Sequence, residues 1–358
     1  MNRMHTLATM THMGHERVCF HQDEATGLKA IIAVHSTRLG NALGGTRRWH
    51  YATEEEGLLD VLRLSQGMSY KSACAGLPMG GAKSVVLLPE PGWVATEAEA
   101  RAMGRFVDTL QGVYIAAEDV GTSIEYVDWM AQETQHVKGG EVVCEGGDPS
   151  PWTARGSFNG MKACLSHCGR SVDFDGLTVA IQGMGKVGMV LGQLLHEAGA
   201  SLIVADISKA SVDTAVERFG ATACGVDDIL LVECDVLAPC ALGAVIGPEQ
   251  IDALQTGIVC GAANNILVDP DRDATTLARR GIVYGPDFVV NAGGVIHLAG
   301  LYLGYDSADL QSRNDAIEHT TAQILADAAG ESTYAAAIAL AKARIAAGDP
   351  LQESCHAG

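Results

Sequence analysis

LTVAIQGMGKVGMVLGQLLHEAGASLIVADIS, Leu177–Ser208, decides the fold. The apolar run from Leu177 reads as a buried strand. Gly183-Met184-Gly185-Lys186-Val187-Gly188 follows it and opens a helix, and a second strand from Ser201 ends at Asp206-Ile207. Glycines at this spacing are weak evidence alone. Framed by strand, helix, strand and an acid about twenty residues on, they describe a dinucleotide-binding unit. Such glycines let the backbone approach a pyrophosphate held at the helix N-terminus. Asp206 would accept hydrogen bonds from the adenosine ribose and repel a 2′-phosphate, which favours NAD over NADP. Lys209, close by in sequence, argues the other way.

Toward the C-terminus, strands are predicted at 177–182, 201–206, 235–239, 257–261 and 282–284, separated by helical or loop segments. That alternation reads as a parallel, doubly wound sheet. Turns at the carboxyl edge of such a sheet line the nucleotide crevice. Ala238-Pro239-Cys240 and Gly261-Ala262-Ala263-Asn264-Asn265 are candidates, each equally open to being a plain turn. Toward the N-terminus, Gly146-Gly147-Asp148-Pro149-Ser150-Pro151 reads as a domain boundary. The expected fold class is α/β with two domains and a central cleft. Residues 1–145 form an α/β domain and 146–329 a Rossmann-type domain, with a C-terminal helix in 330–358 packing back on the first.

Within the first domain the informative stretch is Tyr70–Pro89, YKSACAGLPMGGAKSVVLLP. Lys83 leaves a Gly80-Gly81-Ala82 loop directly into the apolar run Val85–Leu88, so it sits where packed core meets an approachable loop. Desolvation there, with Lys71 nearby, would lower its pKa and make an amine that exchanges protons near neutrality. Thr53 and Glu56 are spaced as a capping box, opening a helix that runs to about Lys71. Tyr114–Ala117 is a strand ending at Glu118-Asp119-Val120-Gly121-Thr122, and carboxylates at a strand end before a glycine turn are well placed for chemistry. A helix is expected around 123–137. Arg47 and Arg48 read as ion-pairing or partner-contact residues and His297 as packing.

The chain has 358 residues, 24 basic against 43 acidic, for a net charge of −19. That balance disfavours nucleic acid and anionic membranes as partners. Ten cysteines are scattered, mostly within apolar runs, and read as reduced thiols of a cytoplasmic protein rather than disulfides or a metal site. No signal peptide and no run long enough for a membrane span are read.

Seven ordered motifs then stand out: Leu43-Gly44-Gly45-Thr46-Arg47, Met68-Ser69-Tyr70-Lys71, Pro78–Lys83, Ala117–Thr122, Ala238–Gly243, Gly261–Asn265 and Asn291–Gly294. From about residue 14 to beyond 300 they resemble the glutamate, leucine, phenylalanine and valine dehydrogenase family. The resemblance implies NAD(P)-dependent oxidative deamination of an L-amino acid to its 2-oxo acid and ammonia, by a homo-oligomer acting on small molecules. It makes Lys83 and Asp119 catalytic and gives the substrate α-carboxylate to Lys71. It also implies substrate contacts from Leu43, Gly44, Gly45, Met68, Ala117, Asn264, Val295 and Leu298. Cofactor contacts are implied at Ser150, Thr153, the Gly183–Gly188 loop, Asp206, Ile207, Ala238, Pro239, Cys240, Ala262, Ala263 and Asn264. Lys83 would activate the attacking water, and Asp119 would exchange protons with the substrate nitrogen.

Glutamate enzymes of the family resemble this chain but carry a lysine just before the Gly-Gly pair, where this chain has Leu43. A substrate carboxylate facing Leu43, Ala117, Val295 and Leu298 would be desolvated without a countercharge, at a cost of several kcal/mol. An apolar side chain gains about 0.8 kcal/mol per buried methylene instead. Ala116–Thr122 is similar to leucine enzymes, whereas Leu77–Val85 and Gly293–Gly300 are closer to phenylalanine enzymes. The expected substrates are leucine, valine and isoleucine, with phenylalanine as the alternative.

Overall fold

The protein is described here by a computed structural model covering residues 6–143 and 146–348. The chain divides into two compact units. The first comprises residues up to Gly147, Leu298–Tyr305 and the chain from Ala341; the second comprises Asp148–His297 and Asp306–Leu340.

The first unit contains α1 (Thr6–Met13), β1 (Arg17–Asp23), β2 (Leu28–Ser36), β3 (Ala42–Trp49), α2 (Glu54–Cys74), β4 (Gly80–Leu87), α3 (Glu97–Asp108), β5 (Tyr114–Glu118) and α4 (Ile124–Ala131). Its five strands lie in the order β1-β2-β4-β3-β5. β4, β3 and β5 run parallel to one another, and β1 and β2 are antiparallel to their neighbours. Strand side chains alternate between faces, so register decides what meets. Leu43 lies opposite both Gly81 and Ile115, Gly45 opposite Ala117, and Arg47 opposite Val85. Leu43, Gly45, Arg47, Lys83 and Ala117 therefore share one face. It is the α2 face, because Val85 packs there with Leu58, Val61 and Leu62. The opposite face is covered by α3 and α4 through Met103, Phe106, Tyr126 and Met130.

Thr53 caps α2, its side chain accepting from the Glu56 N–H. The Glu56 carboxylate reciprocates at the Ala52 N–H, one residue earlier than a capping box requires. The helix expected over 123–137 is shorter, ending at Ala131. After it the chain extends beside β5, where Ala116 bonds to His136 and Lys138, because this backbone completes the β5 edge. The later segments are tied into the unit by Asn41, whose amide donates to the Tyr302 hydroxyl at 2.8 Å, and by Arg344, which donates to the Ala73 and Cys74 carbonyls at 2.9 and 2.8 Å.

The second unit begins with α5 (Ser150–His167). It continues through β6 (Thr178–Gln182), α6 (Lys186–Glu197), β7 (Ser201–Ala205), α7 (Lys209–Phe219), β8 (Thr222–Ala223), β9 (Cys234–Pro239), α8 (Pro248–Ala253) and β10 (Thr256–Val259). α9 (Pro270–Arg279), β11 (Val283–Tyr284), α10 (Asp287–Val290), α11 (Gly293–Leu303), α12 (Ser307–Ala328) and α13 (Thr333–Ala347) follow. α11 and α13 each run on into the first unit. The sheet is all parallel in the order β11-β10-β9-β6-β7-β8. The order reverses beside β6, the kind of switch point at which sheets of this type bind nucleotides.

Candidate active site

On the α2 face of the first sheet, Lys83 Nζ lies 3.0 Å from Asp119 Oδ2. Lys83 rises from β4 and Asp119 stands one residue past the end of β5. The lysine side chain is 7% exposed and the aspartate 21%, so the pair is nearly dry. Its closeness is built by glycines. A Cβ on Gly44 would run into the Ala82 carbonyl oxygen, and one on Gly45 would sit 2.8 Å from Asp119 Cβ. Gly81 backs directly onto Ser69 of α2. Glu118, the other acid at this strand end, is exposed, so alternation turns Asp119 inward.

Burial lowers the pKa of Lys83; Asp119 opposes that shift and Arg47 adds to it. The sequence assigned a like charge to Lys71, and Arg47, which it did not connect to Lys83, supplies one here. Burial pushes Asp119 up, but Lys83 and Arg47 outweigh it and hold the carboxyl below its ordinary range. Arg47 is an ion-pairing residue, donating through Nε to Asp119 Oδ2 at 3.0 Å and through Nη1 to Asp60 Oδ2 at 3.1 Å. Arg48, pointing to the other face, pairs with Glu99 at 2.8 Å. Asp60 and Tyr51 escaped the sequence reading. The available signal was spacing, since Asp60 precedes Lys71 on α2 by eleven residues, close to three turns.

Lys71 and Met68 lie half-buried on α2, and Leu43 and Ala117 are buried in the sheet. Leu298 packs against Gly139, where a Cβ would meet its Cδ2 at 2.9 Å. In the second unit Val295 is buried, and His297 packs on Trp152 with near-parallel rings 6.3 Å apart. Thr153 of α5 fits beside Gly294, whose Cβ would stand 2.8 Å from the threonine hydroxyl, and Ser150 is buried at the start of the same helix.

The nucleotide-binding candidates gather at the carboxyl edge of the second sheet. Gly183 adopts φ +99°, and a Cβ on it would meet Ala241 at 2.7 Å; one on Gly188 would collide with the Gly183 carbonyl. A Cβ on Gly185 would meet nothing, and α6 starts there without a side-chain cap, leaving open space before free helix N–H groups. This cradle fits a dinucleotide pyrophosphate. Asp206, just past β7, accepts from the Met184 and Ser208 N–H groups at 2.6 and 2.7 Å, which draws it to the glycine loop, with Ile207 exposed beside it. Lys209 pairs with Asp213 at 2.7 Å. Cys240 N–H donates to Gln182 O and Ala263 N–H to Pro239 O, setting both predicted turns beside the loop. Asn291, outside the predicted site, donates its amide to the Ala262 and Ala263 carbonyls at 3.2 Å and to Asn264 Oδ1 at 2.8 Å. Because carbonyls only accept, the Asn291 NH2 group must face this loop, which fixes the polarity of the Asn264 amide.

Two family models match the chain. The Glu/Leu/Phe/Val dehydrogenase dimerisation domain spans residues 15–136, and the Glutamate/Leucine/Phenylalanine/Valine dehydrogenase model spans 204–347. The chain belongs to this family. It is an amino acid dehydrogenase, an oxidoreductase. This dehydrogenase is 46% identical to a leucine dehydrogenase from Bacillus cereus over 93% of its own length and 91% of the relative's. It is 42% identical to a valine dehydrogenase from Streptomyces virginiae, covering 94% of each. The crystal structure of L-tryptophan dehydrogenase from Nostoc punctiforme superposes with a TM-score of 0.85 at 39% identity, covering 95% of this chain and 98% of that one. Among the described residues no acid, histidine or cysteine cluster could hold a metal, none of the eight described cysteines is in a disulfide, and no helix is long and apolar enough to cross a membrane. Cys144 and Cys355 lie outside the described residues.

Proposed function

We propose that this dehydrogenase catalyses reversible, NAD-dependent oxidative deamination of leucine, valine or isoleucine to the 2-oxo acid and ammonia. One observation carries the reading: a nearly dry amine, Lys83, held 3.0 Å from an ionised carboxylate, Asp119, on a sheet face where Leu43 and Ala117 are apolar. Lys71 would take the substrate α-carboxylate as a fixed countercharge. Asp119 would accept a proton from the substrate ammonium, freeing the nitrogen lone pair to assist hydride loss from Cα. When bound, NAD supplies the hydride acceptor. Lys83, neutral for part of the time, would take a proton from the water that attacks the iminium carbon, then steady the carbinolamine oxygen as an ammonium. Asp119 would return a proton to the departing ammonia.

Gly183, Gly185 and Gly188 would hold the pyrophosphate and Asp206 the adenosine ribose, and the engagement of Lys209 with Asp213 supports NAD over NADP. Leu43, 0% exposed, offers no cation to a glutamate side chain. The aromatic alternative is supported by the likeness to L-tryptophan dehydrogenase. The match to a dimerisation domain supports a homo-oligomer, and the scattered cysteines, none of the eight described ones in a disulfide, support a cytoplasmic setting. The test is a panel of L-amino acids with NAD at alkaline pH, followed at 340 nm and ranked by kcat/KM. Leucine, valine and isoleucine are expected to lead, phenylalanine and tryptophan to trail, and glutamate to be inert. Glutamate turnover would overturn the substrate reading.

A further inference from the structure

Asp119 does not pair with Lys83 alone. Its Oδ2 receives Lys83 Nζ and Arg47 Nε, each at 3.0 Å. Arg47 is held in turn by Asp60, and the same Asp60 oxygen accepts the Tyr51 hydroxyl at 2.6 Å. Five side chains from β3, the turn after it, α2, β4 and β5 thus form one continuous chain on a single sheet face. Arg47 and Asp60 are only 23% and 29% exposed, so solvent screens this network weakly.

The chemistry creates a conflict that this network resolves. A dry lysine paired one-to-one with an aspartate is held as an ammonium, since an adjacent opposite charge favours the charged form. Such an amine cannot accept a proton from water. A permanent guanidinium on the same carboxylate oxygen weakens that hold, because it competes for the oxygen and repels a charge on Lys83. We propose that Arg47 is a positioning residue of the deamination reaction: anchored by Asp60 and Tyr51, it shares the Asp119 oxygen with Lys83 and so leaves the lysine able to give up its proton. This rests on the reading of Lys83 and Asp119 as the proton-handling pair. The charged groups acting on Lys83 are Asp119 just past β5, Arg47 from β3 and Asp60 from α2; Tyr51, from the turn after β3, bonds to Asp60, His35 of β2 bonds to Ser69 of α2, and α2 also carries Lys71. Burial and the Arg47 charge lower the Lys83 pKa against the opposing pull of Asp119 and Asp60.

The experiment is the pH profile of kcat/KM with the best amino acid of the panel, for wild type, Arg47→Gln, Arg47→Lys and Lys83→Ala. Arg47→Gln keeps a donor within reach of Asp119 but removes the charge. Its acidic limb is expected to move about one unit to higher pH, leaving a roughly tenfold loss at neutral pH that recovers at alkaline pH. Arg47→Lys keeps the charge, and its limb is expected within about half a unit of wild type. An Arg47→Gln rate depressed by the same factor at every pH, with the midpoint unmoved, would show a merely structural role and overturn the proposal. If Arg47→Gln does not fold, a limb displaced by a unit or more in Arg47→Lys overturns it equally. Turnover by Lys83→Ala would instead bring down the reading of the reacting pair, and this proposal with it.

Discussion

Lys83 is an ordinary lysine made unusual by where β4 carries it. With 7% of its side chain exposed it cannot be hydrated as a free ammonium, and its partners set its charge. Lys83→Ala is expected to abolish turnover, a drop of roughly a thousandfold or more, while NAD binding measured by fluorescence titration stays nearly intact. Lys71→Ala should raise KM for the amino acid strongly as well as slowing the chemistry, if Lys71 is the fixed countercharge proposed for the α-carboxylate. Asn291 acts one step further out. Its amide holds the Ala262–Asn264 backbone and orients the Asn264 side chain. Asn291→Ala is expected to cost about tenfold in kcat/KM and, because it strips buried carbonyls of their donor, about 1–3 kcal/mol of stability, read from steady-state kinetics alongside urea unfolding. The two lysines and Asp119 could be singled out because motifs name them, and Lys83 and Asp119 do meet. Arg47 was read as an ion-pairing or partner-contact residue and does pair, but with which acids was not legible, because Asp60 and Asp119 are brought to it by α2 and β5.

At the scale of elements, the first sheet depends on glycine where strands crowd and not elsewhere. Gly44 has no room for a side chain against Ala82 O, whereas a Cβ at Gly67, on α2, would meet nothing. The two alanine substitutions should therefore have opposite signs. Gly44→Ala is expected to abolish folding of the first unit, and Gly67→Ala to stabilise it by about 0.5–1 kcal/mol, both measured by urea unfolding followed by circular dichroism. The α2 start was legible in Thr53, which caps the Glu56 N–H as its spacing implied. The early end of α4 was not legible. Residues 132–137 have nothing locally against a helix, and it is hydrogen bonding of His136 and Lys138 to Ala116 that draws the chain out beside β5.

At the scale of the whole molecule, a buried histidine pair beneath α2 contributes to acid sensitivity. His35 Nδ1 meets Ser69 Oγ at 2.8 Å, His15 Nε2 meets Ser65 Oγ at 2.9 Å, and the rings stand 4.9 Å apart edge to face. Burial, then repulsion from His15, lowers His35 to about 4. Unfolded, it would titrate near its ordinary 6.5. Above that value both states are neutral and nothing is lost. Between about 6.5 and 4 the unfolded chain takes up a proton that the folded one refuses, so stability falls as pH drops through that window. The loss for His35 alone is about 2 kcal/mol by pH 5 and about 3 kcal/mol once pH is below the folded value. Urea unfolding at pH 7 and pH 5 should show it, and His35→Gln, which keeps a polar side chain that does not titrate, should flatten the difference. What the sequence determined by itself was whatever short-range pattern encodes: the strand-glycine-helix unit ending at Asp206, the apolar strand behind Lys83, the capped start of α2, and an amino acid dehydrogenase family. Only the tertiary structure decided which charge sits on which. Register across β3, β4 and β5 puts Arg47, Lys83 and Asp119 on one face, and a one-residue slip would send each to the other. Burial then turns those contacts into pKa shifts that composition cannot show.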